Sequence, residues 1–172
     1  DFEAYNDIDP PDPNSNRMFD KWIDGFGTTT NGALVGNDMP PYAEQSIVHG
    51  GAQSMIYAYD NAGKTSEATL TLVWPRDWTT EGVTKLSLWV RGNTGNAADR
   101  IYVALNGTAA VYHDDASATQ LPNWNEWVID LAAFGVDLTN VNSIAIGTGT
   151  QNAPSPDGGT GTMYFDDIGL YR

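Results

Sequence analysis

Apolar and polar residues alternate with a period of two in short blocks along most of the chain. In 85–91 (Lys-Leu-Ser-Leu-Trp-Val-Arg), Leu86, Leu88 and Val90 fall on one side and Ser87, Trp89 and Arg91 on the other. Successive side chains of a strand point to opposite faces, so the pattern predicts a half-buried strand with its aliphatic side inward. Similar blocks mark 54–59, 67–73, 101–106, 108–113, 126–131, 143–147 and 162–171 as strands. Asn106-Gly107 separates two of them with the residues that a type I′ hairpin turn requires. No stretch carries a helical period, and 18 Gly and 9 Pro punctuate the chain. Eight or more short strands of this kind predict an all-β fold, a β-sandwich jelly roll of two antiparallel sheets.

The first fifty residues are patterned less clearly. Residues 5–17 are acidic and Pro-rich and read as a loop; 25–37 are rich in Gly and Thr around one apolar patch. Residues 148–161 read as a long surface loop. No repeat and no linker divides the chain, so a single domain over 1–172 is expected. With Asp1 in place of an initiator Met and no leader pattern, it reads as a piece excised from a larger protein.

Composition narrows the chemistry. The 172 residues hold 8 Lys+Arg against 22 Asp+Glu, a formal charge of −14. That balance disfavours nucleic-acid and anionic-membrane partners, whose recognition needs clustered cations. Cysteine is absent, which excludes disulfides and thiolate chemistry. The two histidines, His49 and His113, stand far apart and outside any H-E-x-x-H pattern. No apolar run reaches the roughly 18 residues of a membrane helix.

The chain opens Asp1-Phe2-Glu3 and closes on Tyr164-Phe165-Asp166-Asp167-Ile168-Gly169-Leu170-Tyr171. Between them stand His49-Gly50-Gly51-Ala52-Gln53-Ser54-Met55, Leu86-Ser87-Leu88-Trp89-Val90-Arg91-Gly92 and Trp124-Asn125-Glu126-Trp127-Val128-Ile129-Asp130-Leu131. In their order these segments resemble the β-jelly-roll carbohydrate-binding modules of the galactose-binding-like superfamily. The resemblance implies one structural Ca²⁺ where the two chain ends meet. Carried over residue by residue, its ligands would be the side chains of Glu3 and Asp166 and the main-chain carbonyls of Asp1, His49 and Ala52. Calcium takes six to eight hard oxygens and accepts such a mixed set. Asp167 competes as a ligand, although strand alternation turns it away from Asp166 unless a bulge intervenes.

Candidate ligand residues follow from the outward positions of the predicted strands. Trp89 and Arg91 share one strand face; Tyr102, Ala104 and Asn106 face out from 101–106, and Ala110, Tyr112 and Asp114 continue that face across the hairpin. Aromatic rings stack on the apolar faces of pyranoses, while amide and guanidinium groups take paired hydroxyls. Such modules bind in a sheet cleft or at loop tips, and Trp22 is the loop-side candidate. Trp78 reads as a buried turn anchor, at least one of Trp124 and Trp127 as core, and His113 as a structural histidine pointing inward or closing the sheet end.

Catalytic patterns are missing. There is no E-x-D-x-E strand, no R-x-E-L-R or Q-I-H signature, and no G-x-S-x-G elbow. The expected function is a non-catalytic, secreted, monomeric module tethered to an enzyme and binding a plant or algal polysaccharide. The acidic balance favours a neutral glycan. A structural or adhesive domain without sugar affinity is the first alternative, and a small polysaccharide lyase or glycoside hydrolase the second.

Overall fold

The computed structural model describes residues 1–172. Its strands are β1 (Trp22–Ile23), β2 (Leu34–Val35), β3 (Met55–Asp60), β4 (Ser66–Thr71), β5 (Lys85–Arg91), β6 (Ile101–Leu105), β7 (Ala109–Tyr112), β8 (Asn125–Asp130), β9 (Ser143–Thr148) and β10 (Thr160–Tyr171). They form two five-stranded sheets, ordered β1-β4-β9-β6-β7 and β2-β3-β10-β5-β8. Every ladder between them is antiparallel, so the expected β-sandwich jelly roll is the fold found. The last strand, β10, lies inside the second sheet between β3 and β5.

Alternation decides what faces inward. Leu86, Leu88 and Val90 of β5, Ile101, Val103 and Leu105 of β6, and Met163 and Phe165 of β10 are buried in one shared apolar core. Trp78 and Trp127 join that core, as expected. The eight predicted strands are all present, and the Asn106-Gly107 turn has the two positive φ angles of a type I′ hairpin. The strands missed from the sequence, β1 and β2, are two residues each, too short for alternation to register.

Trp22 corrects an expectation. It lies on β1 at 2% exposure, against Phe2, and belongs to the core. A strand of two residues can still aim one large ring inward, and β1 does so by pairing with β4. Trp22 therefore offers no loop-borne ligand surface.

Candidate functional site

Three carboxylates converge on the loop that precedes β3. Asp166 of β10 is fully buried at 0% exposure; its Oδ2 accepts the main-chain N–H groups of His49 (3.0 Å) and Gly50 (3.1 Å). Glu3 Oε1 accepts those of Ala52 (2.9 Å) and Gln53 (3.1 Å). The loop approaches so closely because it carries glycines: a Cβ on Gly51 would collide with the Glu3 carboxylate and one on Gly50 with that of Asp167. Between Asp166 and Gly169 the pairing of β10 with β5 shifts register, and Asp167 takes a positive φ of 45°. This bulge overrides simple alternation. It sends the Asp167 carboxylate to the same loop, 2.8 Å from His49 Nδ1.

The expected calcium ligands can be tested against this arrangement. No three His, Asp or Glu side chains form a metal-holding group by themselves, so an ion here depends on main-chain oxygen. The carbonyls of Asp1, His49 and Ala52 accept no main-chain hydrogen bond. Glu3 and Asp166 lie against the loop that carries two of those carbonyls. Hard oxygen donors of mixed type, still open at the main chain, fit the ion's chemistry.

The outer face of the second sheet holds an aromatic and cationic row. Register sets Tyr164 of β10 opposite Arg91 of β5, and Trp89 between Asp166 and Glu126. Trp124, one residue before β8, continues the row beyond Arg91. His49 stacks on Trp89 with ring centroids 3.7 Å apart and 15° between planes, and meets Trp124 edge-on at 5.8 Å. Arg91 enters no ion pair. Its Nε and the Trp124 Nε1 are buried donors without a partner. Burial raises the Tyr164 phenol above its ordinary pKa; Glu44 adds to the rise and Arg91 opposes it.

The outer face of the first sheet is built differently. Tyr102 packs over Gly147 and against Tyr112, with Ala104 and Ala145 buried beside it. Its hydroxyl donates to Glu67 (2.9 Å), and burial followed by the Glu67 charge drives its pKa far up. The Arg100 guanidinium covers the Tyr112 ring at 4.2 Å, and the Tyr112 hydroxyl accepts the Gln151 N–H.

No protein-family model matches this chain, and no curated protein does. Solved structures do. A family 11 carbohydrate-binding module from Clostridium thermocellum, in complex with a β-1,3-1,4-mixed-linked tetrasaccharide, matches with a TM-score of 0.51 and 17% identity. The match covers 87% of this chain and 94% of that one. A family 30 carbohydrate-binding module of a cellulosomal cellulase of the same organism matches with a TM-score of 0.53 and 12% identity, over 87% and 96%. An exo-β-agarase matches at 0.53 and 10% identity, over 88% of this chain but 24% of that chain. This chain has the β-sandwich fold of such modules.

Within that fold the ligand residues expected from the sequence do not form one surface. Trp89 and Arg91 stand on the outside of the second sheet, Tyr102 and Tyr112 on the outside of the first, with the core between them. Alternation identifies outward residues strand by strand, but only sheet order says which strands share a face. Asn106 is also committed: its Oδ1 accepts the Asn142 N–H (2.7 Å) and its Nδ2 donates to the Asn140 carbonyl (3.2 Å). Tyr102 and Tyr112 have their rings and hydroxyls taken by protein. Trp124 and Tyr164 were missed as site residues. The signal lay in the register of β8 and β10 on β5.

Proposed function

We propose that this chain is a non-catalytic carbohydrate-binding module that holds a neutral plant or algal polysaccharide on the outer face of its second sheet. One observation carries the reading: Arg91 and Trp124 each keep a buried donor without a partner, beside Trp89 and Tyr164. An unsatisfied buried donor costs about 1–3 kcal/mol. Sugar hydroxyls and ring oxygens supply acceptors, while the pyranose C–H face suits an aromatic neighbour. The likeness in fold to a module bound to a mixed-linked tetrasaccharide supports the same ligand class. The charge of −14 favours a neutral glycan over an anionic one.

A structural Ca²⁺ belongs to the proposal. Glu3 and Asp166 would hold it with the carbonyls of Asp1, His49 and Ala52, and Asp167 stands at the same loop. The ion would neutralise buried carboxylate charge and tie the N-terminal segment to the loop and to β10. His49 would thereby be fixed where it stacks on Trp89. Secretion, and tethering of a monomer to a catalytic domain whose local substrate concentration it raises, complete the reading.

Native electrophoresis through gels containing mixed-linked β-glucan, xylan or a galactan tests it. Retardation by at least one glycan is expected. Trp89→Ala and Arg91→Ala should abolish retardation, and Arg91→Ala should leave the melting temperature nearly unchanged because no protein hydrogen bond is lost. Absence of retardation on every glycan would overturn the function in favour of a structural or adhesive domain. Full retardation of both variants would move the site off this face.

A further inference from the structure

The connection between β4 and β5 carries two large apolar side chains in water: Val73 is 88% exposed and Trp74 85%. This segment is framed at both ends. The Leu72 N–H donates to the Asn142 carbonyl (2.8 Å), the Val141 N–H to the Arg76 carbonyl (2.7 Å), and the Trp78 N–H to the Leu138 carbonyl (2.8 Å). The indole N–H of buried Trp78 closes the arch on the Pro75 carbonyl at 3.1 Å. Trp74 thus projects from a pinned arch, and its presentation is organised in advance.

Beside it opens a surface cavity of about 450 Å³ whose lining includes Trp74, Arg76, Asp77, Thr139 and Asn140. The side-chain oxygens of Asn140 (2.6 Å) and Asn142 hold the Arg76 guanidinium. Asn106 in turn positions the 140–142 segment through its amide. One flat indole bordered by amide, hydroxyl, carboxylate and guanidinium groups is a poor match for an apolar protein surface. It suits a pyranose, which has one C–H face and a rim of hydroxyls.

We propose that this arch is a second glycan-binding site, with Trp74 stacking on a sugar ring and Arg76, Asp77 and Asn140 taking its hydroxyls. The inference rests on the polysaccharide-binding reading above and extends it. The arch leads into β5, and Arg91 stands at the far end of that strand. The strand between them, Lys85–Arg91, is six steps of about 3.3 Å, so the arch and Arg91 stand at opposite ends of an element roughly 20 Å long. A polysaccharide long enough to engage both sites gains avidity that a short oligosaccharide bound at one site does not.

Isothermal titration with a mixed-linked β-glucan tetrasaccharide, paired with electrophoresis through the parent polysaccharide, tests the proposal on wild type, Trp74→Ala, Arg91→Ala and the double variant. Two tetrasaccharides per wild-type molecule, one per single variant and none on the double variant are expected. Trp74→Ala should weaken polysaccharide retention about tenfold or more at an unchanged melting temperature. Wild-type stoichiometry and retention in Trp74→Ala would overturn the arch site and leave the sheet-face reading standing. Binding abolished by Trp74→Ala and untouched by Arg91→Ala would keep the arch and overturn the sheet face. No binding of either probe by the wild type would overturn both for this glycan class.

Discussion

Replacing Asp166 with alanine removes the acceptor for three main-chain donors at once: the N–H groups of His49 and Gly50 at Oδ2, and that of Asp167 at Oδ1 (2.8 Å). A hydrogen bond to an ionised acceptor contributes about 1.5–3 kcal/mol, and each donor left buried costs about 1–3 kcal/mol. His49 is exposed and Gly50 only half-buried, so water recovers part of the loss. A net destabilisation of about 3 kcal/mol is expected. In a chain of this size each kcal/mol moves the melting temperature by about 2–4 °C, so Asp166→Ala should melt roughly 6–12 °C lower. Asp166→Asn keeps one acceptor oxygen and should lose about half as much.

The same melts carry the test of the ion. A ligand at one hundred times its Kd stabilises the folded state by about 2.7 kcal/mol. Wild-type protein should therefore melt several degrees lower in EDTA than in excess Ca²⁺, and Asp166→Ala should show no such difference. If Asp166→Ala melts within about 2 °C of wild type, the reasoning about the carboxylate network is refuted. If the wild type ignores chelation while the variant still melts low, the network stands and the calcium reading falls.

Two further expectations concern the outer face of the first sheet. A Cβ at Gly147 would overlap the Tyr102 ring, so Gly147→Ala should destabilise the protein by about 1–3 kcal/mol in urea titration; an unchanged midpoint would refute that packing. The fold holds the Tyr102 phenol neutral well above its ordinary value of 10.0, through burial first and the Glu67 charge second. Its contribution is therefore fully present below about pH 10 and is lost as pH rises further, where the unfolded chain ionises and the folded one does not. Tyr102→Phe should flatten the alkaline fall in stability measured by urea unfolding between about pH 9 and 11, and an equal slope in both proteins would refute the assignment.

Much of this was legible in the sequence because a sheet repeats every two residues. Leu86, Leu88 and Val90 reveal their inward face without any knowledge of neighbours, and Asn106-Gly107 fixes its own turn. Trp22 was not legible, since a two-residue strand leaves no alternation to read. The division of Trp89 and Tyr102 between opposite faces was hidden for another reason. It depends on β10 inserting between β3 and β5, which pairs residues 73 to 110 positions apart. Trp74 was overlooked beside Trp78: two indoles four residues apart look alike until the arch buries one and exposes the other.

His49 explains why the carboxylate cluster and the aromatic face are parts of one arrangement. Its main-chain N–H is held by Asp166, its ring nitrogen by Asp167, and its ring lies flat on Trp89. The bulge after Asp166 makes this possible, because a regular strand would have turned the second carboxylate to the other face. That bulge places a non-glycine residue at positive φ, a strain of about 1–3 kcal/mol. The hydrogen bond between Asp167 and His49 Nδ1 and the buried Asp166 network offset it. A change at Asp166 should therefore be felt at Trp89 although Asp166 need touch no sugar. The reverse does not follow: Arg91 gives nothing to the loop, so its removal should weaken binding while the loop keeps its form.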